Sequence, residues 1–88
     1  MLSPTTNDAE ALALSALAAT LTDERRAQRF LELTGLSPDG IRERLGERSL
    51  LAATLAFLES HEPDLIDVAN AIGCKPEALI AARAELER

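Results

Sequence analysis

Two stretches of the chain are apolar on nearly every side, and the segments that follow them are apolar on one side only. The first is Ala11-Leu12-Ala13-Leu14-Ser15-Ala16-Leu17-Ala18-Ala19 and the second is Leu50-Leu51-Ala52-Ala53-Thr54-Leu55-Ala56-Phe57-Leu58. Both predict helices, over 9–21 and 47–59, because Ala and Leu are the strongest helix formers. A helix apolar all round is either central or lies in an interface. After each comes a one-sided segment. Ala27, Phe30, Leu31 and Leu33 form one apolar stripe, and Leu65, Val68, Ala69 and Ile72 form the other. Gly35 and Gly73 end these helices, since glycine enters the left-handed cap without strain. Three residues later Pro38 and Pro76 restart the chain as first-turn prolines. The third helix is short, 38–45, with Ile41 and Leu45 facing inward and Gly46 as its stop. The sixth runs over 76–87, with Leu79, Ala82, Arg83 and Leu86 on one side.

The start signals agree with this division. Asn7 and Glu10 have capping-box spacing. Thr22 is placed to cap the second helix, with Asp23 and Glu24 in an acidic first turn. Ser37 precedes Pro38 as an N-cap, and Ser60 and Pro63 mark the start of the fifth helix. Residues 1–6 have no periodic apolar pattern and read as a loose arm.

The two halves also align on each other at an offset of 38. Leu12 meets Leu50, Leu17 meets Leu55, Ala18 meets Ala56, Glu24 meets Glu62, Gly35 meets Gly73, Pro38 meets Pro76 and Glu47 meets Glu85. The third segments diverge: Leu45 faces Arg83 and Gly46 faces Ala84. The expected fold class is therefore all-α, a compact bundle of five or six helices in a single domain over 7–88. Two pseudo-repeats of about 38 residues, about 11–48 and 49–86, would share one core. The first and fourth helices are expected to pack together near a pseudo-twofold axis.

Composition narrows the functional classes. Net charge is −6, which opposes nonspecific attraction to nucleic acid or to an anionic membrane. The charge is uneven: residues 25–48 carry six Arg and four acids, whereas 49–88 carry three bases and seven acids. One cysteine excludes an intramolecular disulfide and offers no metal cluster. No signal-peptide start and no membrane-length apolar run is present, so the expected location is cytoplasmic.

Candidate chemistry is sparse. Residues 65–86 have the spacing of a helix-turn-helix, with Gly73 at the turn. Yet the outward positions of its second helix would be Glu77, Ile80, Ala81 and Glu85, which offer acids to phosphates and no good base reader. A tight helical corner explains the same pattern. Arg25, Arg26, Arg29, Arg42, Arg44 and Arg48 could form a patch for an anion or an acidic partner; solvated faces balanced by Glu32, Asp39, Glu43 and Glu47 are the simpler account. Cys74 follows a glycine stop, where a small apolar residue packs back on its helix, and His61 lies at a different junction. No catalytic residues, metal ligands or cofactor site emerge from the pattern, and no small-molecule ligand is evident. The remaining signal is apolar surface. The first and fourth helices have more of it than so small a domain covers, with Leu14, Leu51, Phe57 and Ile80 as candidate interface residues.

The Ala/Leu-rich first helix, Phe30-Leu31-Glu32-Leu33-Thr34-Gly35-Leu36, the second apolar helix and the Ala71–Pro76 segment together resemble a small bacterial family, a domain of unknown function of about this length. The likeness runs from Ala9 to Glu87 and brings no catalytic or binding residues with it. It implies an all-helical fold. The functional expectation is a noncatalytic helical module that self-associates or binds a protein partner. The alternative is a DNA-binding regulator using 65–86.

Overall fold

The computed structural model describes residues 6–88, with side chains from Asp8 onward; residues 1–5 of the arm expected over 1–6 and the side chain of Asn7 lie outside the described residues, and residue 6 belongs to a helix. Six helices follow one another: α1 (Thr6–Thr22), α2 (Glu24–Thr34), α3 (Pro38–Glu43), α4 (Arg48–Glu59), α5 (Glu62–Ile72) and α6 (Pro76–Leu86). The all-α bundle follows from the sequence as expected. α1 already begins at Thr6, so the backbone of Asn7 lies inside the helix, past the start expected there.

α1 is central, lying against α2, α4, α5 and α6, while α6 also packs on α4 and α5. Ala9, Ala13 and Ala16 are buried at i, i+4 and i+7 on α1, so neighbouring helices meet a flank of methyl groups. Leu17, Phe30, Leu55, Leu58, Val68 and Leu79 are fully buried and fill the middle of the core. Thr20 and Thr54 are equally buried; their hydroxyls donate to the carbonyls of Ala16 at 2.7 Å and Leu50 at 2.9 Å, so neither is left unsatisfied.

The punctuation is local chemistry. Gly35 and Gly73 have φ of 72° and 77°, the left-handed caps expected of them. Ser37 accepts from the Gly40 N–H at 3.0 Å, and Pro38 and Pro76 stand in the first turns of α3 and α6. Two caps differ from expectation. Thr22 is the last residue of α1, its hydroxyl donating to the Ala18 carbonyl at 2.9 Å. Asp23 instead caps α2, accepting from the Arg26 N–H at 2.9 Å, and that bond leads the interactions holding its carboxyl below the ordinary carboxylate value. At the fifth helix, Ser60 closes α4 and His61 takes the N-cap position without a side-chain bond.

Two leucines expected inside are outside. Leu33 is 73% exposed, since α2 buries the face carrying Phe30 and turns Leu33 to solvent. Leu45 is 40% exposed because α3 ends at Glu43, so the four-residue spacing to buried Ile41 no longer runs along a helix.

The two halves differ in their third helices. α6 has 11 residues and is packed on three neighbours; α3 has six and makes no extensive approach to any helix. That difference leaves a space beside α1 and α2.

Candidate functional site

The arginines are distributed by the ion pairs they form. Arg26 on α2 donates from Nε to Asp64 Oδ1 at 3.1 Å and from Nη2 to Asp67 Oδ2 at 3.4 Å, and Arg29 Nη2 donates to the other oxygen of Asp64. The Arg29 guanidinium also sits 5.7 Å from the centre of the Phe57 ring. Phe57 meets Phe30 edge-on at 5.2 Å. This cluster binds α2 to α4 and α5, and its central carboxylate, Asp64, has a side chain only 8% exposed. Arg48 reaches the other end of the molecule, where Nη2 donates to the carbonyls of Leu86 and Glu85 at 3.0 and 3.3 Å and closes the C-terminus of α6. Arg42 pairs with Asp39 at 2.7 Å on the surface of α3. Arg25 and Arg44 are exposed, Arg25 beside Gln28 and Glu32, Arg44 in a cleft with Leu33 and Leu50. The structure thus brings Arg26 and Arg29 to one carboxylate and gives Arg42 and Arg48 separate partners.

The remaining sequence candidates are placed as follows. Cys74 is half-buried, and burial pushes its thiol up, away from thiolate. His61 is an exposed junction residue. Among the described residues no group of three or more His, Cys, Asp or Glu is arranged to hold a metal ion. The α5–α6 corner turns at Gly73 as a helix-turn-helix would, but α6 is packed on α1, α4 and α5, and its exposed positions include Glu77, Ile80 and Ala81.

Of the four candidate interface residues, Leu51 and Phe57 belong to the core of the chain itself. Leu51 is covered within the bundle, and Phe57 is held between Phe30 and Arg29. An all-apolar helix buries several faces when it has neighbours on several sides. Leu14 and Ile80 are exposed, at 43% and 45%.

Leu14 lies in an open groove of about 550 Å³ bounded by α1, α2 and α3. α1 supplies Leu14, Leu17, Ala18 and Leu21, α2 supplies Ala27 and Leu31, and α3 with its following turn supplies Pro38, Ile41, Arg42 and Leu45. Among the described residues, Arg42 is the one charged residue in this lining. Leu21 and Leu45 are exposed here like Leu14, so three of the six large exposed hydrophobic side chains of the described chain share one groove. Leu21 was not singled out from sequence, and Leu45 was expected to face the core. The signal for them lay in the 38-residue register, where they stand opposite Glu59 and Arg83. Those two residues are joined by an ion pair of 3.2 Å between α4 and α6.

The chain belongs to the family described as "Protein of unknown function (DUF3572)", whose model matches residues 6–88. No curated protein and no solved structure matches it. Among the described residues, no helix is long and apolar enough to cross a membrane.

Proposed function

We propose that the protein is a noncatalytic interaction module whose binding surface is the α1–α2–α3 groove. The observation that carries this reading is the concentration of Leu14, Leu21 and Leu45 in one concave, apolar site. Isolated exposed leucines are ordinary, but three around one groove form a surface that gains from being covered. Each is already more than half buried, so completing its burial contributes about 1 kcal/mol. Together the three supply about 3 kcal/mol, about a hundredfold in affinity. That magnitude suits a reversible partner better than a permanent subunit.

The DNA-binding alternative receives less support. A recognition helix must project into a groove, whereas α6 is wedged among three helices and shows acid on its free side. An enzyme needs an activated nucleophile or a metal, and the half-buried thiol of Cys74 is pushed away from reactivity.

The reading is tested by affinity capture from a lysate of the source cells. The wild type is compared with Leu14→Glu/Leu21→Glu and with Ile66→Glu, which alters an exposed apolar residue outside the groove. A protein captured by the wild type and by Ile66→Glu, but lost from the groove variant, is the expected result. Identical capture by all three would reject the groove as the binding surface. Circular dichroism confirms that each variant is folded.

A further inference from the structure

We infer that the α1 side of the groove receives a second copy of this chain, with α1 lying antiparallel on α1 about a twofold axis level with residue 16. This rests on the groove being a protein-binding surface, as proposed above, and names the occupant. Three observations converge on it.

The first is a face that matches itself. Past Glu10, the exposed residues of α1 are Ala11, Leu14, Ser15, Ala18, Leu21 and Thr22. They repeat at seven: Ala11 with Ala18, Leu14 with Leu21, Ser15 with Thr22. A seven-residue apolar repeat on one face is the seam along which two helices pack side by side. Ala11, Leu14, Ala18 and Leu21 are spaced by 3, 4 and 3, which reads the same in either direction. A reversed copy therefore falls in register, with Ala11 opposite Leu21, Leu14 opposite Ala18, and the same two layers again beyond the axis. Every layer joins one leucine to one alanine, so the layers are equal in volume and none leaves a gap. A parallel copy would set leucine on leucine and alanine on alanine, crowding some layers and leaving voids in others. A surface complementary to itself is what an isologous interface requires, and such an interface closes at two.

The second observation is charge. From residue 11 to residue 22 α1 carries no charged residue, although 27% of the chain is charged. The exposed residues of α2, α3, α5 and α6 each include acids or bases. Each copy has a net charge of −6, so two copies repel except where uncharged surfaces meet. Arg42, beside the seam, is paired with Asp39, which leaves the rim neutral. The face thus selects no charged partner, and a second copy needs none.

The third observation is coverage. α4 has the other long uncharged run, 49–58, yet only Ser49 and Ala53 of that run are exposed. α6 packs along α4, whereas α3 ends after six residues and leaves this face of α1 uncovered. Pro38 and Leu45 are exposed across the groove and give the incoming helix a second wall. The seam from Ala11 to Leu21 is about 15 Å long and a helix is about 10 Å across. Such a patch is well short of the roughly 800 Å² per partner of a standard stable interface, so the dimer is a reversible one.

The test is sedimentation of the full chain from about 10 μM to about 1 mM, the range that a weak, reversible dimer spans. A monomer–dimer equilibrium with no larger species is expected, and it should not weaken as salt rises, since no ion pair holds it. Leu14→Glu/Leu21→Glu should stay monomeric, and Ile66→Glu should behave as the wild type. Ala18→Leu overfills two layers at once and should weaken association at least about tenfold. Leu14→Ala/Ala18→Leu returns one leucine and one alanine to each layer, so association should recover. That recovery is specific to the antiparallel register, because a parallel pair would gain nothing from the exchange. Circular dichroism confirms that each variant is folded. A strict monomer at about 1 mM, assemblies that grow beyond two, indifference to Ala18→Leu, or failure of the double variant to recover would overturn the inference. If the wild type is monomeric while the lysate capture finds a groove-dependent protein, the second copy fails and the groove as a binding surface stands.

Discussion

Asp64 shows how much a single side chain depends on its surroundings. It accepts from both Arg26 and Arg29 and is nearly enclosed, so removing it leaves Arg26, itself 11% exposed at the side chain, to the longer contact with exposed Asp67 at 3.4 Å. Asp64→Ala is expected to cost about 3 kcal/mol in urea unfolding, the range for breaking a buried pair. Asp39→Ala removes a pair of exposed partners and should change stability by about 0.5 kcal/mol or less. Cys74 supplies a second contrast. Burial raises its thiol pKa, so alkylation by iodoacetamide at pH 8 should be slower in the native protein than in the urea-unfolded chain. Equal rates would show that burial does not suppress the thiolate in the folded protein.

At the scale of the elements, the helix ends are the independent parts. Gly35 and Gly73 sit at positive φ with open space around them, so alanine there meets backbone strain without a clash. Gly35→Ala and Gly73→Ala are each expected to cost about 1 kcal/mol, read as a lowered urea midpoint. Asp23 gives α2 a pH dependence whose sign is fixed. Its carboxyl is held below its ordinary value of 3.8, so the folded state favours the carboxylate. The resulting stability is present above about pH 4 and is lost as pH falls through the lower folded value. Asp23→Asn retains a capping oxygen and does not titrate. Its stability relative to wild type should therefore rise as pH falls below 4, measured by thermal melts at several pH values.

For the molecule as a whole, the radius of gyration of 12.0 Å equals the approximately 12 Å expected for a compact chain of this length. The groove is thus an open feature of a fully condensed fold. The condensed part hinges on Phe30, which is fully buried and edge-on to Phe57. Phe30→Ala should cost about 4 kcal/mol and lower the melting temperature by about 20 °C. Leu21→Glu/Leu45→Arg, by contrast, changes exposed positions of the groove and should leave the melting temperature within a few degrees.

The sequence by itself determined an all-α bundle of five or six helices, the glycine stops at Gly35 and Gly73 and the proline restarts at Pro38 and Pro76; Gly46 was expected to stop α3, which instead ends at Glu43. Those features are local: a left-handed cap needs glycine and a first turn accepts proline whatever lies across the bundle. It also determined that two helices would be apolar on most sides. Which apolar residues remained uncovered was decided only by the tertiary structure. Leu14 and Leu51 look alike along the chain, and so do Leu33 and Leu31, yet in each pair one is exposed and the other is not. Coverage depends on neighbours distant in sequence, and here on α3 ending two residues early. The arginines divided for the same reason, since Asp64 and the α6 carbonyls lie 35 to 38 residues from the arginines that find them. The Leu21/Glu59 and Leu45/Arg83 mismatches were already written in the register; only packing showed that they surround a groove.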